Sequence, residues 1–364
     1  MDIGKIDPNM RVETSLDLPD VRFYDVREEP FEVYGLYNYR TEPQFKRLPD
    51  EIGLNVNPGV SYLYLNTAGG RVRFSTDSKY IAVKVIVPGI SLGTTASLTS
   101  AAGLDLYVDD PETGTSFFRN RLYSGKTDVK EFESKVVFQN RCLRHFTIHF
   151  PSYNDVIALY VGIQEDATLG GGMKYRDTAP IVFYGNSITQ GAWASRPGNS
   201  YANMISRRFG MDYINLGFAG NGKAEDTIVD YMCKLPMSVF VSDYDHNAPN
   251  DEYLRQTHLK MYQKIRATHP DVPYIMLSKP DYDNMQNLDD NIKRRDVVID
   301  TYRYAFEHGD RNVYYIDGAS IFRGTYEDCC TVDNCHPNDF GMALMAEAIG
   351  AEIRRSFIQK KIYY

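Results

Sequence analysis

Ser187 lies at a position where a serine could act as a nucleophile. It belongs to the motif G-N-S-I at residues 185–188, directly after the apolar run 181–184, which predicts a short buried strand. Active sites of open parallel sheets lie beyond the carboxyl ends of the strands, and a helix starting there offers free N–H groups to an oxyanion. The position therefore suits attack on a carbonyl carbon, although a serine there could equally cap a helix.

A base for such a serine is present near the C-terminus. Asp333 and His336 stand three residues apart in the motif D-N-C-H-P-N. A serine hydroxyl needs a base, imidazole titrates near neutrality, and a carboxylate can hold its second nitrogen. Pro337 favours an extended His336 and places the next helix after it. Taken alone, a D-x-x-H-P motif is more often a surface pair at a helix entry, so the prediction depends on its combination with Ser187.

The same segment also suggests a metal site. Cys329, Cys330, Cys335 and His336 are crowded together, but structural zinc prefers C-x-x-C pairs and the chain has no second pair. Five unevenly spaced cysteines are also a poor disulfide framework. We predict no metal and no cofactor, and we expect the thiols to be buried or idle.

The elements that must position these residues divide the chain into two parts. Residues 1–169 read as strands and turns, clearest at 80–87, 146–150 and 155–163, and predict an all-β sandwich or jelly roll. Three successive glycines, 170–172, predict that residues 170–179 are a linker.

Residues 180–364 alternate short apolar strands with helical patterns. This alternation predicts an α/β domain with a parallel sheet and helices on both faces. The last helix is expected to start near Asn338. The predicted strands are 181–184, 213–216, 238–241, 274–277 and 313–316, and the clearest helices are 252–268 and 293–308.

Taken together, the motifs of residues 180–364 resemble those of the SGNH/GDSL hydrolases. The resemblance implies a flavodoxin-like fold and a catalytic triad of Ser187, Asp333 and His336. It also implies an oxyanion hole formed by the Ser187 and Gly220 backbone N–H groups and the Asn247 side chain. Gly220 lies in the second block, N-L-G-F-A-G-N at 215–221, and Asn247 in the third, D-H-N-A at 245–248.

Two blocks depart from the family pattern. Asn186 replaces the usual Asp beside the nucleophile, and Asp245 and Ala248 stand where Gly and Asp are usual. The stretch G-L-D-L-Y at 103–107 resembles the signature of an N-terminal domain fused to one SGNH branch, in which a D-Y-x-x-N-A block is also found. Related two-domain enzymes are carbohydrate esterases, so the resemblance implies acetylated oligosaccharides or other small esters as substrates.

Further residues could contact a substrate. Trp193, six residues after Ser187, could stack on a sugar face or be an ordinary core or lid residue. His246 could line the pocket, although such a histidine more often only packs. Lys223 and the basic run 293–295 could meet acidic sugars, but a solvated helix face is the simpler interpretation of the run.

Composition limits the alternatives. The 364 residues carry a net charge of −8, which argues against nucleic acid or an anionic membrane as the main partner. Residues 1–7 show no signal peptide, so a cytoplasmic protein is expected, and a homo-oligomer stays open. A lipase or thioesterase, which needs a long apolar trough, and a glycan-binding protein with a decayed site are the competing hypotheses.

Overall fold

The computed structural model describes residues 16–92, 96–284, 286–324 and 326–360. Residues 1–7, on which the cytoplasmic prediction rests, lie outside this part. Within the described residues, no helix is both long and apolar enough to cross a bilayer. The chain forms an all-β domain followed by an α/β domain, which confirms the predicted fold class.

The first domain is a sandwich of two antiparallel sheets. One has the order β1-β9-β4-β7 and the other β10-β3-β8-β5-β6, with β2 paired to the same edge of β3 as β10. Apolar side chains of both sheets form one core. The strands are β1 Val21–Asp25, β2 Glu32–Tyr34, β3 Arg71–Thr76, β4 Tyr80–Ile86, β5 Leu104–Asp109, β6 Ser116–Leu122, β7 Glu131–Val137, β8 Arg144–His149, β9 Ala158–Gln164 and β10 Leu169–Gly171; the helices are α1 Asp50–Gly53, α2 Val60–Leu63 and α3 Leu98–Ala101.

The sequence predicted that the glycine run begins a linker, but the structure places these glycines at a sheet edge. Strand β10 pairs with β3, so that Gly170 lies opposite Ser75 and Gly171 opposite Phe74. A Cβ on Gly170 would come within 2.8 Å of the Ser75 hydroxyl, and one on Gly172 within 2.6 Å of the Arg73 Cβ. The glycines therefore permit a close backbone approach at a sheet edge.

The second domain contains a five-stranded parallel sheet of order β12-β11-β13-β14-β15. This is the flavodoxin-like order, and its switch point lies between β11 and β13. The strands are β11 Ile181–Gly185, β12 Tyr213–Gly217, β13 Val239–Asp243, β14 Tyr274–Leu277 and β15 Val313–Ile316.

Helices cover both faces of this sheet. Helices α6, α7 and α8 pack on one face, and α5 and α10 pack on the other. Helix α8 begins five residues before the predicted start at 293. The helices are α4 Ser187–Gln190, α5 Tyr201–Phe209, α6 Asp226–Met232, α7 Asp251–Thr268, α8 Leu288–Glu307, α9 Gly318–Ile321 and α10 Asp339–Gln359; 3₁₀ turns occur at Pro197–Asn199, Asp245–Asn247, Tyr282–Asn284 and Glu327–Cys329.

Two buried arginines of the β-domain join the domains. Arg47 donates to the carbonyls of Asn215 and Gly217, at 3.2 and 2.6 Å. Its guanidinium also donates to two carbonyls of its own domain. Arg71 pairs with the Asp212 carboxylate and donates to the Tyr213 carbonyl. Both arginines therefore bind strand β12 or the residue before it, next to strand β11, which ends two residues before Ser187.

Candidate active site

The structure brings Ser187 and His336 together from positions 149 residues apart. The Ser187 hydroxyl lies 2.9 Å from His336 Nε2, and His336 Nδ1 lies 2.9 Å from the Asp333 carboxylate. With Nδ1–H donating to Asp333, Nε2 is the acceptor for the serine proton. The three side chains thus form a continuous hydrogen-bonded series.

Ser187 begins helix α4 and does not cap it. The cap is Asn186, whose side-chain oxygen accepts the Ile188 and Thr189 N–H groups at 2.7 and 3.3 Å. Gly191, with φ +107°, then ends the helix after one turn. Among the described residues, no acceptor is bonded to the Ser187 N–H, so this donor is available at the rim of the sheet.

A tight loop supplies the imidazole and its carboxylate. One Asp333 oxygen accepts the His336 N–H at 2.8 Å and the Cys335 N–H at 3.1 Å, while the other binds the ring. Burial alone would raise the Asp333 pKa, but the hydrogen bonds from His336 outweigh it and hold the pKa below its ordinary value. Asp333 is therefore an anion that fixes the imidazole.

Cys335 and Lys279 add to the electrostatics of this site. Burial opposes the imidazolium, but the Cys335 thiol and the Asp333 carboxylate outweigh it and raise the His336 pKa. Burial also opposes the Cys335 thiolate, yet contacts with His336 and Lys279 lower the pKa of this thiol. No motif in the sequence indicates that Lys279, a buried residue after β14, belongs to the site.

The two further oxyanion candidates, Gly220 and Asn247, are connected through the Phe218 carbonyl. Gly220 has φ +68° in a turn in which the Phe218 carbonyl accepts the Asn221 N–H. The same carbonyl accepts the Asn247 amide at 3.0 Å, which leaves the second amide hydrogen for another acceptor. No bonded acceptor for the Gly220 N–H occurs in the part of the chain that is described.

Arg294 holds the Asn247 segment and was missed as a functional residue. The basic run at 293–295 was interpreted as a solvated helix face. Arg294 is instead buried and donates to the carbonyls of Asp245 and Ala248, at 2.9 and 2.8 Å. Helix α8 has buried apolar residues on the same face, and periodicity alone could have placed Arg294 there.

Asp243 connects the first and third motifs. Its buried carboxylate accepts the Asn186 amide and the Thr189 hydroxyl, both at 3.2 Å. Burial and the nearby Asp245 charge raise the Asp243 pKa to about 7. The asparagine that replaces the usual Asp at position 186 therefore has a structural reason. Its amide can donate to the Asp243 carboxylate, whereas a second carboxylate cannot.

Trp193 stacks on the imidazole. Its ring lies 4.7 Å from that of His336, at an interplanar angle of 14°, and meets Tyr153 edge-on. The Tyr153 hydroxyl donates to the Ser187 carbonyl at 2.9 Å. The ring face on His336 is thus not open to a sugar, but Trp193 also lines a groove of about 370 Å³ between the two domains.

The remaining candidates lie at different places. His246 follows Asp245 and lies 3.4 Å from its carboxylate; burial outweighs that charge and lowers the His246 pKa. Lys223 is half-buried beyond the Gly220 turn. Cys330 packs in the core, whereas Cys329 is exposed. Within the described ranges, no three His, Cys, Asp or Glu side chains are grouped to hold a metal, and all five cysteines are free.

Family comparisons agree with both domains. Residues 178–354 match the GDSL-like lipase/acylhydrolase family, and residues 21–169 match GxDLY, the N-terminus of SGNH-hydrolase-type esterases. The chain belongs to the SGNH/GDSL esterases. Asp105, in the motif that names the N-terminal domain, lies in strand β5. No match is found among curated proteins.

Solved structures share the two-domain architecture. A protein named as a GDSL-like lipase from Bacteroides ovatus is 25% identical, with a TM-score of 0.83 over 93% of this chain and 98% of its own. A salicylyl-acyltransferase from a tetracycline pathway is 21% identical, with a TM-score of 0.74 over 93% and 98%. A family two carbohydrate esterase from Clostridium thermocellum, solved with cellohexaose, is 14% identical, with a TM-score of 0.63 over 90% and 99%.

Proposed function

We propose that the protein is a serine esterase that removes small acyl groups, acetyl foremost, from carbohydrates. The observation that carries the proposal is the series from the Ser187 hydroxyl through His336 to Asp333, with both contacts at 2.9 Å. In this proposal Ser187 is the nucleophile, His336 the general base and acid, and Asp333 the residue that fixes the imidazole tautomer.

The reaction proceeds in two steps. His336 Nε2 accepts the hydroxyl proton as Ser187 attacks the ester carbonyl, and the resulting oxyanion is held by the Ser187 and Gly220 N–H groups and the Asn247 amide. His336 then protonates the departing alcohol, which leaves the acyl group on Ser187. Water, deprotonated by His336, attacks this acyl-enzyme and releases the acid.

Two observations support a carbohydrate ester. One structural relative was solved with an oligosaccharide, and the two-domain architecture is shared with it over nearly the whole chain. The groove beside Trp193 is open to both domains, so a substrate larger than a simple ester can contact the α3 segment as well as the catalytic loops. Indole rings are common platforms for partly apolar ligands such as sugars.

The first experiment measures hydrolysis of p-nitrophenyl acetate by the wild type and by Ser187→Ala. We expect turnover of the variant to fall by at least about 1000-fold, because the nucleophile is lost. Ser320→Ala, which removes an exposed hydroxyl in the same domain, serves as control and should keep wild-type turnover. Undiminished activity of Ser187→Ala would end the proposal.

A substrate series then separates the competing functions. Acetyl, butyryl and octanoyl esters are compared with acetylated xylo- and cello-oligosaccharides, with the released acid measured by mass spectrometry. The proposal predicts a preference for acetyl and for the oligosaccharides. A preference for octanoyl would favour a lipase, and oligosaccharide binding without any acid release would favour a glycan-binding protein with a decayed site.

A further inference from the structure

The loop at residues 192–199 connects the nucleophile helix α4 to α5 and is held by the β-domain. The Asp105 carboxylate, which is fully buried, accepts Arg196 Nη1 at 3.0 Å and the Gly198 N–H at 2.7 Å. Arg196 also donates to the Tyr107 hydroxyl, and its guanidinium lies 3.7 Å from the centre of the Phe118 ring. One charged side chain of the loop is thus enclosed by strands β5 and β6.

Gly198 has no room for a side chain at this contact. A Cβ there would come within 2.5 Å of the Tyr107 hydroxyl and 2.8 Å of the Asp105 carboxylate. On the other side of the loop, Thr99 donates to the Ser195 carbonyl at 2.9 Å, and the Ser195 N–H donates to Asp339 at 2.7 Å. The loop is therefore held by contacts from both domains.

Trp193 links this loop to the imidazole. Its backbone has φ +63°, a left-handed conformation that is strained for a bulky residue and persists only where the surroundings hold it. Its ring covers one face of His336 at 4.7 Å. If the loop were released, the backbone would relax and the indole would leave the imidazole.

We propose that Asp105 and Arg196 are positioning residues, through which the β-domain keeps Trp193 stacked on His336 and the imidazole directed at Ser187. The kinetic part of this inference rests on the proposed esterase function, whereas the position of Trp193 does not. It gives the carboxylate of the G-x-D-L-Y motif a task in the active site of the other domain.

A purely structural ion pair is the alternative, and Asp109 offers a matched control. It lies four residues further along β5, is also buried, and also pairs with an arginine, Arg73, at 3.2 Å. Its other partners, Thr147 and Ser116, belong to the β-domain as well. Asp109→Asn therefore removes a comparable buried charge without touching the loop.

Fluorescence reports the loop directly, because Trp193 is the single tryptophan of the chain. Indole emission is quenched by a stacked imidazolium, so wild-type emission should change with pH as His336 titrates, at a higher pH than for an ordinary histidine. In Asp105→Asn we expect the amplitude of this titration to fall at least about threefold. Ser187→Ala and Asp109→Asn should both keep the wild-type amplitude.

Kinetics supply the second readout. Asp105→Asn should lower kcat for p-nitrophenyl acetate by about 10- to 100-fold through misplacement of the base. The KM should stay within about twofold, because Asp105 does not touch a small ester. Arg196→Lys, which keeps the charge but not the guanidinium fork, should behave alike. The double variant should be no worse than the single ones, because both remove the same contact.

If Asp105→Asn does not fold, the fluorescence titration and kcat of Arg196→Lys are measured in its place. An unchanged titration amplitude, an unchanged kcat, or equal losses in Asp109→Asn would each overturn the inference. Full activity of Ser187→Ala would instead refute the proposed function and leave the fluorescence result to decide the position of Trp193.

Discussion

His336 is contacted on four sides, and each contact has a different effect. Ser187 and Asp333 bind its two ring nitrogens, Trp193 covers one ring face, and the neighbouring Cys335 thiol raises its pKa. A base must be neutral to accept a proton, so a raised pKa places the fall of activity at a higher pH than an ordinary histidine would.

Replacement of Cys335 tests this balance. In Cys335→Ala the raising contact is lost while burial, which lowers the His336 pKa, stays largely in place. Activity requires neutral His336 and is lost as pH falls through its pKa, so the acid limb of kcat/KM should move to lower pH than in the wild type. Cys329→Ala, which changes an exposed thiol, should leave the limb in place, and the same result for Cys335→Ala would contradict the account.

At this scale the sequence predicted less than the structure shows. Motif spacing was enough to select Ser187 and His336, because the family motifs place them at strand and helix ends. Tyr153 and Lys279 belong to no motif, and only the folded chain brings them to the site. The sequence suggests for Cys335 only an idle thiol or a zinc ligand, because its neighbour Lys279 comes from a distant part of the chain.

At the scale of elements, the helix that begins at Ser187 depends on a buried amide and carboxylate. Asn186 caps the helix with its oxygen and donates to Asp243 with its nitrogen. Asp243 binds a proton more tightly in the folded state, with a pKa raised to about 7. Its contribution to stability is therefore greatest at acidic pH and declines as pH rises towards 7.

Asn186→Asp should consequently destabilise the protein in a pH-dependent way. Aspartate caps a helix as well as asparagine does, so the change mainly sets two carboxylates against each other. We expect the free energy of unfolding to fall by about 2–4 kcal/mol at pH 8, and by less at pH 5, where the pair can share a proton. Urea denaturation at the two pH values measures this difference.

The double variant Asn186→Asp with Asp243→Asn is the control. It restores an amide opposite a carboxylate and should recover most of the lost stability at pH 8. A loss that does not depend on pH, or that the second substitution fails to repair, would contradict the interpretation of this pair.

Element prediction succeeded where the hydrophobic pattern was regular. The strands 274–277 and 313–316 have the predicted bounds, since both are continuous apolar runs inside a covered sheet. The linker prediction for the glycine run was wrong because the local pattern contains no information about the partner strand. That strand approaches Gly170 closely, and only a residue without a side chain fits there. Helix α8 starts earlier than predicted because its first turn contains the polar run 289–291, which interrupts the apolar pattern.

At the scale of the whole molecule, the two domains share buried polar contacts rather than a flexible joint. Arg47 donates to Leu63 and Asn66 in the β-domain and to Asn215 and Gly217 at the end of β12. The two contacts with β12 join residues 168 and 170 positions apart in the chain and leave no periodic signal, so the sequence predicted two domains but not their interface.

Arg47→Met should uncouple the domains. The change leaves four carbonyls without their donor at a buried site and should cost about 3 kcal/mol or more. Calorimetry should show one unfolding transition in the wild type and a lower, broadened or split transition in the variant. Arg40→Met, at an exposed arginine of the same domain, should melt as the wild type does, and an equal result for Arg47→Met would contradict this role.

Covalent labelling tests the central claim most directly. A fluorophosphonate reacts with a serine only where a neighbouring base removes its proton, and intact-mass analysis counts the adducts. The account predicts one adduct on the wild type, located on the peptide that contains Ser187, and none on Ser187→Ala or His336→Ala. An adduct at another residue, or equal labelling of the Ser187→Ala variant, would contradict it.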